Sequence, residues 1–413
     1  MTRRRDFIAS AATGLIPATW GGQAFAQSQP KVGSQVLWGG LGYSVAHSDI
    51  PARFPMVSKA AAQAGWANLV SAFTGSLKRN YSGGVAEDPV KLLSTNSDPS
   101  LLFTVSLDYE QMILVPNDGG NGEFQLSFIY ALAQVLYLEV PRDGGSDGEI
   151  KVVYSFPFRV QSGETPRVNN SADQVQNFQK LLFSLDNSLV NVFSKKVASK
   201  RFQEKAYPKV LKVASVKVSP DAEGTFKSLG IQDSLTANFF GQAFTASLAE
   251  KGEVSVMPFV ANSMIMELSR RFDRYPRIEN IFTRFSKSSE LDYAIDLTIF
   301  KALRQSNGGN VGNVLYARGL SVLVKVTNVI SGKVVFDKKI LLIENNELPR
   351  AMMDRLKDYD LRYMVQIVIK MFDNFVTAVM KEDASGLKSV GLDPDKDMGE
   401  VKELKQLWLN CRV

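Results

Sequence analysis

The chain has 413 residues, a formal net charge of +6 at neutral pH, one cysteine and one histidine. A single cysteine excludes an intramolecular disulfide, and so little thiol and imidazole leaves almost no material for zinc, haem, iron–sulfur or Cys–His chemistry. The positive charge is mild and spread along the chain, which argues against a nucleic-acid partner. We therefore expect no cofactor and no metal, and a fold that packing alone stabilises.

The first residues have the character of an export signal. Arg3, Arg4 and Arg5 form a positive start, a mildly apolar stretch follows at 8–20, and Ala24-Phe25-Ala26 has the small residues of a cleavage site. The paired arginines resemble a bacterial twin-arginine signal, and a general secretory signal is the alternative. The stretch is too short for a permanent membrane anchor. We predict a signal peptide at 1–26, cleavage after Ala26 and a periplasmic protein.

The length that remains is too great for one small core and predicts two domains. In the first domain, at 27–205, residues 35–45 predict a strand with a bulge. A glycine-rich phosphate loop is disfavoured there, because Val45 occupies a position where that loop needs glycine. Residues 55–77 predict a helix. Alternating apolar residues at 103–109 predict a strand, and 124–140 with 150–160 predict a hairpin. An apolar stripe then predicts a helix at 175–189.

The second predicted domain, at 206–382, has the same kind of content. A strand is expected at 210–218, a helix at 235–249 that ends at Gly252, a short strand at 254–260 and helical turns at 264–272. The clearest patterns come next. They predict a strand at 291–299, a glycine- and asparagine-rich break at 307–313, a hairpin across Ser331-Gly332 and a helix at 361–379.

The order of strand, hairpin and helix therefore occurs twice. Phe103 pairs with Tyr293 in this comparison, and Val175 with Val365. Internal duplication and the chance recurrence of two ordinary units both remain open. The predicted fold class is α+β, or mixed α/β, with two related layered units, each a mixed sheet with helices packed on it. A polar tail at 383–413 is expected to hold one short helix at 400–409.

No residue is predicted to be catalytic, cofactor-binding or metal-binding. Asp393, Asp395 and Asp397 have the spacing of the first ligands of a calcium loop, but the later positions of that loop are wrong, so a helix cap is favoured. His47, in His47-Ser48-Asp49, is interpreted as a surface-loop residue. Cys411 is interpreted as a tolerated terminal thiol, with an intermolecular disulfide as the alternative.

Two acidic residues, Asp292 and Asp296, lie on the polar side of one predicted strand and are expected to be solvated rather than paired. Four phenylalanines have core spacing and are interpreted as packing rather than as a ligand platform: Phe239, Phe240, Phe372 and Phe375.

Two stretches carry a resemblance to a known family. They are Asp292–Leu297 and Leu323–Phe336, the second with the turn Val329–Phe336, which reads Val-Ile-Ser-Gly-Lys-Val-Val-Phe. They resemble the bacterial envelope proteins that include the curli-secretion lipoprotein, the lipoprotein activators of penicillin-binding proteins and the N-terminal domain of the Tol-system propeller protein. The resemblance implies an α/β sheet with helices on it and a non-enzymatic role in envelope assembly or secretion. The acylated cysteine of those lipoproteins is missing here.

The function favoured by these patterns is a soluble, exported binding or scaffolding protein of the bacterial envelope, without catalysis. Its predicted partner is a protein, met through a strand edge or a helix face, and self-association is left open. One alternative is a carboxylate-dependent hydrolase of a carbohydrate or cell-wall polymer. The other is a small-ligand-binding protein that uses the cleft between its halves.

Overall fold

The computed structural model describes most of the chain, in these ranges: 36–43, 47–81, 85–86, 100–116, 123–139, 149–163, 165–166, 170–184, 186–198, 209–257, 259 and 291–412. The predicted signal peptide at 1–26, the connection at 143–148 and the predicted helical turns at 264–272 lie outside these residues.

The first sheet is formed by β1 (Val36–Tyr43), β2 (Val85–Ala86), β3 (Ser100–Pro116), β4 (Glu123–Glu139), β5 (Glu149–Gln161) and β6 (Thr165–Pro166). Its order is β2-β1-β3-β4-β5, and β6 pairs with β4 beyond the end of β5. β1 is parallel to β3, whereas β3, β4 and β5 are antiparallel neighbours. The predicted bulge in the first strand is confirmed between Trp38 and Gly40.

The helices of the first unit are α1 (Ile50–Arg53), α2 (Pro55–Ala64), α3 (Trp66–Asn80), α4 (Ser171–Gln179) and α5 (Leu189–Ala198). They cover the sheet face that carries Phe103, Val105 and Leu107. The helix predicted at 55–77 is confirmed as two helices that meet at Gly65, whose φ of 83° suits glycine.

The single helix predicted at 175–189 is interrupted. α4 ends at Gln179, a π-helical turn follows at Lys180–Ser184, and α5 begins only at Leu189. In the turn between them, the side-chain amide of Asn187 donates to the carbonyl oxygen of Gln161 at 2.6 Å. This tertiary hydrogen bond lies where the helix is interrupted, and the apolar spacing alone does not predict that interruption.

The second sheet is formed by β7 (Leu211–Val218), β8 (Tyr293–Gly309), β9 (Asn313–Asn328) and β10 (Val334–Pro349), in the order β10-β9-β8-β7. β7 is parallel to β8, and the others are antiparallel. Its helices are α6 (Pro220–Leu229), α7 (Ala237–Lys251), α8 (Leu356–Lys381), α9 (Ala384–Ser389) and α10 (Pro394–Asn410). A 3₁₀ turn at Arg350–Arg355 precedes α8.

Helices α7 and α8 lie between the two sheets. α7 is buried without a break from Phe239 to Ala249, so both of its sides are covered. Apolar residues of the first sheet, among them Ile113, Leu126 and Phe128, belong to the same core as α8 and the second sheet. By length and composition α8 and the turn before it could cross a membrane, and more than half of that stretch is buried inside this fold. The predicted core role of Phe239, Phe240, Phe372 and Phe375 is confirmed.

The two sheets share their strand order and their irregularities. The first strand of each parallel pair has a bulge, opposite Phe103 in one sheet and opposite Ile295 in the other. A second bulge follows Leu107 in β3 and Ile299 in β8. The bulges therefore equate Phe103 with Ile295, whereas the sequence comparison paired it with Tyr293. An alternating pattern looks the same after a shift of two residues, so only the bulges give the register.

Two other segments differ from the prediction. Over 254–257, the continuous described part of the strand expected at 254–260, one bridge forms, between Met257 and Lys212. There, the backbone N–H of Val256 donates to Ser155 of β5, and that of Met257 donates to Leu211 of β7. The segment therefore joins the edge of one sheet to the edge of the other.

The segment predicted as a polar tail forms α9 and α10, and Leu404 and Trp408 are fully buried in the core beside α8. The last helix begins at Pro394, earlier than expected, because Asp393 and Asp397 cap its start: Asp393 accepts from the N–H of Asp395, and Asp397 accepts from that of Asp393.

Candidate functional site

The acidic residues singled out in the sequence have structural partners. Asp292 accepts from the backbone N–H of Val210 at 2.8 Å and from Lys209 Nζ at 3.3 Å. Asp296 accepts from Ser215 Oγ at 2.5 Å. The expectation that these carboxylates are merely solvated is therefore wrong. Asp296 connects β8 to β7, and Asp292, just before β8, binds the residues just before β7.

The other singled-out residues do not converge on a site. His47 begins a short 3₁₀ turn, His47–Asp49. Cys411 is buried in the core, and burial raises the pKa of its thiol to about 12. A thiol in that position does not reach a partner chain, so the alternative of an intermolecular disulfide has no support in the folded state. Among the residues that the structure describes, no cluster of histidine, cysteine and acidic side chains could hold a metal ion.

A groove of about 670 Å³ runs along α8, between the ends of β4 and β5 on one side and α9 on the other. Leu126, Phe128 and Ile369 contribute its apolar lining, and Lys251 and Asn374 are among its polar residues. A groove with apolar and polar lining between two units is the usual place for a small ligand.

The carboxylates that line this groove are Glu344, Asp373 and Asp383, and each is engaged. Asp373 accepts from Ser247 Oγ at 2.6 Å and from Arg159 Nη2 at 3.4 Å. Glu344 forms an ion pair with Lys370. Asp383 caps α9 by accepting from the N–H of Ser385 at 3.0 Å. A glycosidase needs one free acid and one free base that face each other, and these side chains do not provide them.

Arg159 is the centre of the polar contact between the two units. Besides Asp373 of α8, its Nη2 atom lies 3.5 Å from Glu250 Oε2 of α7. The backbone N–H of Arg159 donates to the other oxygen of Glu250 at 2.8 Å. One arginine of the first sheet therefore holds the helices of the second unit against it, through hydrogen bonds that carry charge.

A half-buried carboxyl group in the first unit has a raised pKa. Glu110 of β3 accepts from the backbone N–H groups of Met56 and Val57 at the start of α2, both at 2.8 Å. Burial raises the pKa of Glu110 to about 7, although these two hydrogen bonds and Lys59 act in the opposite direction. The carboxylate therefore caps the start of α2.

The outward face of the second sheet is open. We call it the open face and define it by the side chains of β8, β9 and β10 that point away from α8. Three of its large apolar residues are strongly exposed: Phe300 by 45%, Leu341 by 38% and Ile343 by 48%. Half-buried leucines lie beside them: Leu303, Leu315 and Leu323. Apolar patches on the surface of soluble proteins commonly mark binding sites.

The centre of the open face is shaped by Gly319. This residue pairs with Leu303 on one side and with Ile343 on the other. A Cβ atom at position 319 would lie 2.8 Å from Cγ1 of Ile343, which is too close for any residue with a side chain. Glycine lets Ile343 lie over the strand, so the side chain of Ile343 covers this position and forms part of a continuous apolar surface with Leu303.

Lysines surround this apolar centre. Lys217, Lys301 and Lys339 are exposed on the same face. Lys339 Nζ lies 3.7 Å from the centroid of the Phe300 ring, a cation–π contact. Within the described part of the chain, neither Lys217 nor Lys301 has an acidic partner. Asp337 and Glu347 are also exposed on this face, towards the two ends of β10. Lysines therefore lie nearest to the apolar centre, and acidic residues lie farther from it.

Sequence reasoning missed the open face. Its signal was the run from Ile340 to Ile343, in which both alternate sets of side chains are apolar. A strand with one solvated face shows polar residues at every second position, so this run indicates that the second face is also meant to be covered.

Comparisons with known proteins assign no family. No protein-family model matches the chain, and no curated protein matches it. Solved structures with some likeness include a lipoprotein from Neisseria meningitidis, at 13% identity and a TM-score of 0.20, which covers 38% of this chain and 99% of its own. A protein from Xanthomonas campestris has 11% identity and a TM-score of 0.19, and covers 43% of this chain and 88% of its own.

A protein from Chlamydia trachomatis has 10% identity and a TM-score of 0.19, and covers 40% of this chain and 99% of its own. These bacterial chains match less than half of the present one. At such TM-scores the likeness establishes neither a shared family nor a shared function, and the proposals below rest on the chain's own contacts.

Proposed function

We propose that this chain is an exported, soluble, non-catalytic binding or scaffolding protein of the bacterial envelope, which holds a protein partner on the open face. The observation that carries the proposal is the exposure of Phe300, Leu341 and Ile343 side by side on a sheet face. Burying three such side chains would contribute several kcal/mol to an interface, at about 25 cal/mol per Å² of apolar surface. Solvent exposure of the same surface has no stabilising role in the isolated chain.

The sheet edges are less suited to a partner than this face is. At β5, the N–H of Val256 donates to the carbonyl of Ser155, Glu250 takes the N–H of Arg159, and Pro157 between them has no N–H. At β10, the N–H of Leu341 donates to the carbonyl of Val390. Both edges are therefore partly closed by the chain itself, which is how proteins avoid unwanted strand pairing.

Placement in the periplasm follows from the twin-arginine-like start. The resemblance of the turn at Val329–Phe336 to bacterial envelope proteins supports an assembly or secretion role for the same compartment. The engaged carboxylates of the groove support a role without hydrolysis.

Site-specific photo-cross-linking in the producing bacterium tests the proposal. A photoreactive amino acid at Leu341 or Ile343 should give one discrete heavier band, and its partner can be identified by mass spectrometry. The same amino acid at Ile330, which is 79% exposed in the β9–β10 turn, is the matched control and should give none. Absence of adducts at both open-face positions, in cells that accumulate the mature protein, would overturn the proposal.

Export is tested separately. If the paired arginines are a twin-arginine signal, Arg4→Lys with Arg5→Lys should leave the precursor in the cytoplasm, whereas Arg3→Lys should not. N-terminal sequencing of the periplasmic form should begin at Gln27. Export that persists in the double variant would mean that the protein uses the general secretory route. A wild-type protein that stays uncleaved in the cytoplasm would contradict a periplasmic function.

The groove along α8 supports a second candidate, the binding of a small ligand. Its volume and its mixed lining of Phe128, Ile369 and Asn374 favour a compact molecule with an apolar body. Asn374→Trp would fill the groove. Native mass spectrometry of protein purified from the periplasm should then lose any mass adduct that the wild type carries, and a wild type without an adduct counts against this candidate.

A further inference from the structure

We infer that the open face receives an amphipathic helix of its partner, apolar along one side and acidic along its margins, in the way that the first sheet receives α7 and α8. The inference rests on the proposed function and specifies the chemistry of the partner. It follows from the repeat, from the apolar row Leu303–Gly319–Ile343 and from the lysines that have no acidic partner among the described residues.

The repeat identifies the open face with a face that is covered in the first unit. The second bulge of each sheet equates Tyr109 with Lys301. Tyr109 begins the row Tyr109–Tyr130–Arg159 across the first sheet, and Lys301 begins the row Lys301–Ser321–Leu341 across the second. Arg159 and Leu341 therefore occupy the same place on the same face of two similar sheets.

In the first sheet this face binds two helices. Arg159 contacts Glu250 of α7 and Asp373 of α8, and Phe128 in the next row lies in the core that these helices share. A sheet of this architecture thus has two helical layers, its own on one face and a neighbour's on the other. The second sheet has only its own layer within the described residues, and its other face is exposed.

The side chains on the two faces indicate different helices. Where the first sheet has the row Gln111–Phe128–Gln161, the second has Leu303–Gly319–Ile343. Phe128 covers its own strand, whereas Gly319 has no side chain and Ile343 lies over it. A helix that lies there can place apolar side chains against Ile343, Leu341 and Phe300, at spacings of three and four residues.

The lysines on the open face determine which residues the margins of that helix can carry. Lys217 and Lys301 have no acidic partner among the described residues, and Lys339 lies over the Phe300 ring. Glutamate or aspartate beside the apolar stripe would pair with them, and lysine there would be repelled. Helices α2 and α5 of a second copy fit poorly, because their exposed sides carry Lys59 and Lys195. We therefore take the partner to be a different protein.

Three synthetic helices with the length of α7, 15 residues, test this inference. The first has leucine at helical spacing with glutamate on both margins, the second has lysine at those margins, and the third scrambles the first. Binding to the full mature chain is measured by fluorescence anisotropy at low and high salt. Hydrogen exchange then locates the bound peptide.

We expect the acidic helix to bind at least about tenfold more tightly than the lysine helix, with the difference shrinking as salt screens the charges. Exchange should slow at 298–305, 319–323 and 339–343. Leu341→Asp should weaken binding at least about tenfold, and Ile330→Asp should leave it unchanged. The variant Lys301→Glu/Lys339→Glu should exchange the preference between the two peptides, an outcome that a merely unstable variant would not give.

Equal binding of all three peptides, protection elsewhere, or a preference unchanged by charge reversal would overturn the inference. So would sedimentation that shows a dimer lost in Leu341→Asp, which assigns the face to a second copy, or binding only to vesicles that contain phosphatidylglycerol. The proposed function and this inference can be contradicted separately. Cross-links at Leu341 without peptide binding would leave a protein partner on the open face and remove only its helical, acidic character.

Discussion

The two sheets of this protein have the same strand order and the same two bulges, yet in the described part of the chain helices cover both faces of the first sheet and one face of the second. The first sheet lies between its own helices and α7 with α8, and it meets them through Arg159. The second has its own helices on one side and exposed Phe300 and Ile343 on the other. The difference teaches that strand pairing defines the unit, whereas the side chains of the outward face decide what binds to it.

The largest effect is expected from the helix that only the second unit shows among the described residues. Trp408 of α10 is fully buried and packs edge-on against Phe375 at 5.9 Å between ring centroids. Trp408→Ala should lower the free energy of unfolding by about 3–5 kcal/mol, because it leaves a cavity in the shared core. Lys402→Ala, on the exposed side of α10, is the control. Urea denaturation measures both, and equal midpoints would mean that the segment is a dispensable tail.

Exchanging the equivalent residues of the two outward faces should give the next largest effect. Arg159→Leu leaves Glu250 and Asp373 without their cation and should cost about 3 kcal/mol. Leu341→Arg places an arginine on an exposed surface and should change stability by less than about 0.5 kcal/mol. Similar losses of stability in Arg159→Leu and Leu341→Arg, measured in the same denaturation experiment, would contradict this difference between the two sheet faces.

The pH dependence of the free energy of unfolding is expected to show a smaller effect, which comes from Glu110 in the first unit. Burial raises the pKa of Glu110 from 4.5 to about 7. The stability that protonation contributes is therefore complete below pH 4.5 and is lost as pH rises through 7, by about 3 kcal/mol at most. Glu110→Gln should flatten this part of the stability profile, and Glu223→Gln on α6 should leave it unchanged. A wild-type profile that rises over the same window would contradict the sign.

Much of the fold could be predicted because alternation and helical spacing are local. The strands at 103–109 and 291–299, the hairpin across Ser331-Gly332 and the long helix at 361–379 were found this way, and each is longer in the structure than in the prediction. Register could not be found, since a period of two is blind to a shift of two. The burial of Trp408 also escaped, because a helix with few apolar residues looks like a surface helix until its neighbours are known.

The candidate site was harder to predict for a different reason. Arg159 lies 91 residues from Glu250 and 214 from Asp373, so no local pattern connects them. The open face depends on which strands are neighbours, and Leu303, Gly319 and Ile343 are adjacent only in the folded sheet. What the sequence does contain is the run Ile340–Ile343, which places apolar residues on both sides of β10. Such a run indicates a second covered face without naming its cover.

Two residues that follow α10 hold the segment between the two sheet edges in place. The carbonyl of Cys411 accepts from the N–H of Ser255, and the guanidinium of Arg412 donates twice to the carbonyl of Gly252. Synthesis runs from the N-terminus, so these contacts form only after Cys411 and Arg412 have left the ribosome, and a product that stops before Cys411 lacks them. The junction of the two sheets therefore depends on residues that are made as late as 160 positions after Gly252.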